Sequence, residues 1–168
     1  MPVHYMLDTQ VIIRLAEQPN EIVAFTKASE NGSKFFITSV QEDELFGKSY
    51  KNGGTKNIKQ IPKEEARKRR EILNMLSVKC VPAIATWTKD TLRGDGSHRL
   101  VGKSPPPYMP GSQFTHGESP NKIADRLIAE AVIHHGLVLV SDDEDLVKHM
   151  QRDFPDNAIH YNDFIRAF

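Results

Sequence analysis

The stretch Gly136-Leu137-Val138-Leu139-Val140-Ser141-Asp142-Asp143-Glu144-Asp145 decides the fold class. An unbroken apolar run after a glycine, ending in a burst of acids, reads as a strand buried on both faces. That is the habit of parallel sheets covered by helices. Just upstream, Ile123, Ala124, Leu127, Ile128, Ala131 and Val132 recur at helical spacing. Asn121 is placed to cap that helix and Gly136 to stop it in a left-handed turn.

The same alternation runs through the rest of the chain. Val3 to Leu7 reads as a buried strand ending at Asp8, and Val11, Ile12, Leu15 and Ala16 as the helix that follows. A second helix is expected over Asn20 to Asn31, with Ile22, Val23, Phe25 and Thr26 inward and Gly32 as its stop. Lys34 to Thr38 reads as the next strand. Ser39-Val40-Gln41-Glu42 has capping-box spacing, which occupies Glu42 and leaves Glu44 free. Ala66, Ile72, Leu73, Met75 and Leu76 mark a later helix, Val78 to Val81 a short strand, and Ile84 to Leu92 a helix with Trp87 packed. A last strand is expected through Ala158 to Tyr161. Strands alternating with helices call for a parallel sheet with helices on both faces. The length of 168 residues suits one domain over 1–168. Residues 93–119, rich in Gly and Pro without apolar periodicity, read as a long loop insertion. Within it, Pro105-Pro106-Pro107 reads as a stiff connector.

Composition narrows the function. A hydrophobic share of 39% and a charged share of 26% are those of a globular protein, and no apolar run approaches a bilayer span. Met1 to Tyr5 does not read as a secretory signal, and Cys80 is the sole cysteine, so a cytoplasmic protein with a reduced thiol is expected. That cysteine count excludes an internal disulfide and a cysteine-based zinc site. The seven histidines show no spacing typical of zinc ligation. Net charge is zero, yet Lys48 to Lys79 carries ten Lys or Arg against three Glu. The remainder is correspondingly acidic, which suits a basic arm beside an acidic pocket; the plain alternative is a solvated helix with pairs at helical spacing among Glu64, Glu65, Arg67, Lys68, Arg69, Arg70 and Glu71.

Sites in open parallel sheets form beyond the carboxyl ends of the strands. Asp8 ends the first strand, Glu44 lies in the first turns of the helix after the second, and Asp143 follows the Val140 strand. Asp125 lies in the first turn of its own helix. Each has a plain structural role open to it: Asp8 as a helix cap, Asp125 as an answer to the helix dipole, the Asp142 to Asp145 run as a solvated turn. Converging carboxylates repel one another, and a hard divalent cation relieves that repulsion. Such a cation lowers the pKa of bound water and stabilises a leaving oxygen, which is the chemistry of phosphodiester hydrolysis.

These residues carry a family resemblance. Tyr5-Met6-Leu7-Asp8-Thr9, Thr38-Ser39 through Glu44-Leu45-Phe46-Gly47, Asp125 to Ala131, and Leu139 to Leu146 resemble, in order, the motifs of the PIN domain. The nearest likeness is to VapC-type toxin ribonucleases. The resemblance implies a three-layer α/β/α sandwich with a central, mostly parallel sheet, Mg²⁺ or Mn²⁺ dependence, and endoribonuclease activity. It carries the catalytic and metal-binding roles onto Asp8, Glu44, Asp125 and Asp143, with Asp145, Thr9, Ser141 and Asp142 in support. Asp142 stands where an Asn is more usual, which leaves open whether Asp142 or Asp143 faces the metal. The 93–119 stretch is an insertion just before the third motif, and the basic segment is richer than the family's pattern.

Lys48, Lys51, Lys56, Lys59, Arg67 and Arg70 are expected to grip the phosphate backbone of RNA, single-stranded rather than duplex. The toxin reading adds a protein antitoxin covering the acidic pocket with a basic side chain. Oligomeric state stays open, a homodimer among the options. The alternative is a catalytically silent PIN-like module that binds RNA or a protein partner. A phospho-accepting receiver or an Asp-x-Asp phosphatase fails on order, because Thr9-Gln10 follows Asp8 without a second Asp.

Overall fold

The computed structural model describes residues 1–50, 56–58, 60–81 and 120–168. The chain runs β1 (Tyr5–Leu7), α1 (Thr9–Glu17), a 3₁₀ turn (Pro19–Glu21), α2 (Ile22–Glu30), β2 (Phe35–Thr38), α3 (Ser39–Leu45), β3 (Lys48–Tyr50) and β4 (Lys56–Ile58). It continues through α4 (Lys63–Met75), β5 (Lys79–Val81), α5 (Pro120–His134), β6 (Val138–Ser141), α6 (Glu144–Asp153), β7 (Ala158–His160) and α7 (Tyr161–Ala167). Five strands form one sheet in the order β5-β2-β1-β6-β7, and every pairing in it is parallel. β1 sits at the centre, with Tyr5 beside Phe35 on one flank and Val138 on the other.

Strand alternation sorts the core into two layers. Tyr5 and Leu7 of β1, Phe35 and Ile37 of β2 and Val140 of β6 face a cluster with Val11, Ile12 and Leu15 of α1, Phe25 of α2, Ile72 of α4, and Tyr161 and Phe164 of α7. Met6, Leu139 and Ala158 face the opposite way, onto Ile128 and Val132 of α5 and Leu146, Val147 and Met150 of α6. The result is the expected α/β/α sandwich. Edge-on packing of Tyr5 against Phe164, with ring centroids 5.0 Å apart, joins the central strand to the last helix.

Several local expectations shift. α2 buries Ala24, Phe25 and Ala28, while Val23 is 54% exposed and Thr26 faces solvent. The 3₁₀ turn at Pro19 rotates the helix relative to a start at Asn20. The capping box belongs to Thr38 and Gln41, one residue earlier than Ser39 and Glu42. Asn121 does not cap α5, which already begins at Pro120. Met75 is 64% exposed, so α4 docks through Ile72 and Leu76. The antiparallel pair β3–β4, with Ser49 opposite Asn57, was not foreseen because its strands are too short to show alternation. Gly136 ends α5 at φ 62°, and the Leu137 N–H reaches back to the Val132 carbonyl at 2.9 Å. The expected helix over Ile84 to Leu92, Trp87 within it, and the 93–119 insertion with its proline run lie outside the described residues.

Candidate active site

The site begins where the central strand stops. Asp8 keeps an extended backbone and donates its N–H to the Val140 carbonyl at 3.0 Å, which carries the ladder one residue past β1. Its side chain caps α1, Oδ1 accepting from the Thr9 N–H at 2.7 Å. Oδ2 accepts from the Ser141 hydroxyl, at the end of β6, at 2.6 Å. Asp8 is only 7% exposed. Burial pushes its pKa up, the Ser141 and Thr9 hydrogen bonds pull it down, and the charges of Asp142 and Asp143 push it up again. The carboxylate that caps α1 is thus the same one the sequence offers as a candidate ligand.

Glu44 is brought in by α3. That helix has only seven residues, so Glu44 falls in its last turn and not its first. The negative end of the helix dipole gives a carboxylate no support there. The supports are side chains. Thr9 Oγ1 donates to Glu44 Oε2 at 2.7 Å. The buried Gln41 amide donates to the Leu7 carbonyl and accepts from the Thr38 N–H, tying the start of α3 to the end of β1. Arg69 of α4 donates to the Leu45 carbonyl at 2.6 Å, closing the other end. Burial raises the Glu44 pKa, Thr9 lowers it, and Asp8 raises it.

Asp125 stands on α5, half-buried, in the second turn rather than the first because the helix starts at Pro120. Burial, followed by the charges of Asp8, Asp143 and Glu44, pushes its pKa up to about 7. That single carboxylate registers all three of the other expected acids. Asp143 is exposed and caps α6, its Oδ1 accepting from the N–H groups of Asp145 and Leu146 at 3.0 and 3.1 Å. Its own N–H donates to Ser141 Oγ at 3.1 Å. Asp142 acts on Asp8, and also on Arg14 and Tyr161. Both Asp142 and Asp143 act on Asp8, Asp142 the more strongly, and Asp143 acts on Asp125 as well. Asp145 is exposed in the first turn of α6, where its charge acts on Lys148.

A cluster beside Asp142 escaped the sequence reading. Arg14 pairs with Glu21 through two nitrogens at 3.0 and 3.1 Å, and the Tyr161 hydroxyl donates to Glu21 at 2.6 Å. The Arg14 guanidinium lies 4.2 Å above the Tyr161 ring. These contacts staple α1 to α7, and Arg14 first of all holds the Glu21 carboxyl below its usual range. Gln41 was also missed, although Thr38-x-x-Gln41 fits a capping box as well as Ser39-x-x-Glu42 does. Nothing local in the sequence pairs Arg14 with Tyr161.

The basic segment is partly spoken for. Arg67 pairs with Glu64 and Glu71 on its own helix. Arg70 lies 4.3 Å above the Phe46 ring. Lys63 and Lys68 are exposed, Lys48 and Lys56 lie in β3 and β4, and Lys51 and Lys59 fall outside the described residues.

Among the described residues, no three His, Cys, Asp or Glu side chains are grouped so as to hold a metal ion. None of the four acids forms a salt bridge among those residues. The donor chemistry nonetheless fits a hard divalent cation. Carboxylate oxygens are its preferred ligands, and burial first, then neighbouring acids, raises the pKa values of Asp8, Glu44 and Asp125, a cost that such a cation relieves. The model of the PIN domain family matches residues 5–151, from the first strand into α6. The chain belongs to the PIN domain family. PIN domains are in general nucleases and typically use divalent metals, which gives this one a nuclease role in general terms. Comparison with curated proteins returned no match. No helix among the described residues is long and apolar enough to cross a membrane.

Proposed function

We propose that this PIN domain is a metal-dependent endoribonuclease that hydrolyses RNA phosphodiester bonds, and that it is the toxin of a toxin–antitoxin pair. The observation that carries the catalytic part is the pKa of Asp125, raised to about 7 by burial and by Asp8, Asp143 and Glu44 together. The hydrogen bonds of Thr9 to Asp8 and Glu44, at the carboxyl end of β1 where parallel sheets place their sites, support the same reading.

In this reading Asp8, Glu44, Asp125 and Asp143 hold Mg²⁺ or Mn²⁺. The bound metal would supply an activated water and stabilise the leaving oxygen. Ser141 and Thr9 fix the two oxygens of Asp8, and Thr9 also fixes one oxygen of Glu44, so the acids present lone pairs in set directions. Asp142 and Asp145 add negative charge at the rim. Exposed Lys63 and Lys68, with the lysines of the β3–β4 region, would hold the RNA backbone without reading its sequence. An antitoxin would close the acidic pocket with a basic side chain.

The test is cleavage of single-stranded RNA with Mn²⁺ by the wild type and by Asp8→Asn, with circular dichroism as the control for folding. Loss of cleavage in a folded variant supports the proposal, and undiminished cleavage overturns it. A wild type that binds RNA but cuts none would instead be the silent module.

A further inference from the structure

A cleft of about 220 Å³ opens beside Glu44, lined in part by Ile13, Glu44, Gln60, Ile61, Glu65 and Arg69. Glu44 belongs to both the cleft and the acid group, so whatever enters the cleft lies next to the scissile position. We infer that the cleft seats one base of the RNA, the one beside the bond that is cut, and so sets sequence preference. The inference rests on the nuclease reading above.

The lining matches a base better than a phosphate. Arg69, the one cation of this lining, is already paired with Glu65, so the cleft offers no unpaired positive charge to an anion. Ile13 and Ile61 supply apolar wall for the flat faces of a heterocycle. Arg69 is fixed: its side chain is only 12% exposed, and it donates to the Leu45 carbonyl. Its other terminal nitrogen stands 3.5 Å from Glu65 Oε2. A donor and an acceptor therefore stand side by side, which is the alternation along the edge of every RNA base. Bases are read in this manner when single-stranded RNA is splayed out of its stack. Glu65, with a side chain 56% exposed, and the exposed Gln60 can adjust to the base without disturbing the core.

The test is titration of the full chain, labelled at isoleucine methyls, with each of the four ribonucleoside 5′-monophosphates, alongside mapping of cut sites on an RNA pool. The Ile13 and Ile61 methyl signals should shift saturably, with one base preferred by about tenfold. The same base should recur beside the cut. Glu65→Gln replaces one acceptor with a donor at constant shape and should erase or change that preference, and Gln60→Ala should weaken it. Methyl signals unmoved by all four nucleotides, or a ranking unchanged in Glu65→Gln, would overturn the inference. Binding is read without cleavage. A wild type that binds bases and cuts nothing therefore overturns the nuclease reading alone, while one that cuts RNA with unmoved methyls overturns the base site alone.

Discussion

The hydroxyl of Thr9 donates to Glu44 Oε2 at 2.7 Å, across 35 positions of sequence, while the backbone N–H of the same residue donates to Asp8 Oδ1. One small residue thus orients two acids, one at the end of β1 and one on α3. Replacing it with valine keeps the shape and the N–H but removes the hydroxyl. Thr9→Val should leave the fold intact and reduce cleavage and Mn²⁺ affinity by about 10–100-fold, the usual cost of losing a partner that orients a metal ligand. Steady-state cleavage and calorimetry would read this, and wild-type values in both would contradict the role given to Thr9.

The acids also set a pH dependence in the metal-free chain. Asp125 has a pKa of about 7 in the folded state, above its ordinary value of 3.8. The folded state therefore binds the proton more tightly than the unfolded one. The stability this contributes is fully present below about pH 4 and is lost as pH rises through 7. In EDTA, the melting temperature attributable to this group should fall between pH 5 and pH 8. Asp125→Asn should flatten that slope and melt higher at pH 8. A slope unchanged in the variant would refute the assignment.

Asp143 can be separated into a cap and a charge. Its Oδ1 accepts from the N–H groups of Asp145 and Leu146, a role asparagine fills as well. Asp143→Asn should keep wild-type stability, whereas Asp143→Ala should cost about 1 kcal/mol. Both remove a charge that raises the Asp125 pKa, so carboxyl-carbon NMR should find Asp125 titrating lower in each.

Gln41 is the costliest of these positions to truncate. Its amide satisfies the Leu7 carbonyl and the Thr38 N–H, both in the buried interior. Gln41→Ala strands both groups and should destabilise the fold by about 2–5 kcal/mol in chemical denaturation. A loss below 1 kcal/mol would mean that other partners replace it.

The sheet was legible because burial on both faces writes itself as continuous apolar runs, and Leu137 to Val140 and Tyr5 to Leu7 are such runs. Asp8 was legible as the residue that ends β1, and Asp142 and Asp143 as those that follow β6, because the apolar runs stop there. Helix phase was less so: the 3₁₀ turn at Pro19 rotates α2 and turns Val23 outward, an effect invisible to a periodicity that assumes a straight start. The capping box slipped by one residue because Thr38 and Ser39 are equally good caps in isolation. Gln41's tie to Leu7 across 34 positions chose between them. Arg14, Glu21 and Tyr161 meet only through the tertiary fold, since Tyr161 lies 140 residues from the carboxylate it donates to.

The central place of β1 has a consequence for the making of the protein. Asp8 ends the first strand of the matched domain, yet its N–H partner Val140 and its hydroxyl partner Ser141 come near that domain's end. A nascent chain that stops short of β6 has neither a partner for one flank of β1 nor a donor for Asp8 Oδ2. Pairings so distant form late, since loop closure must precede them. The surroundings of Asp8 therefore stay incomplete on any chain cut short of β6, and they can close only after that strand has been made.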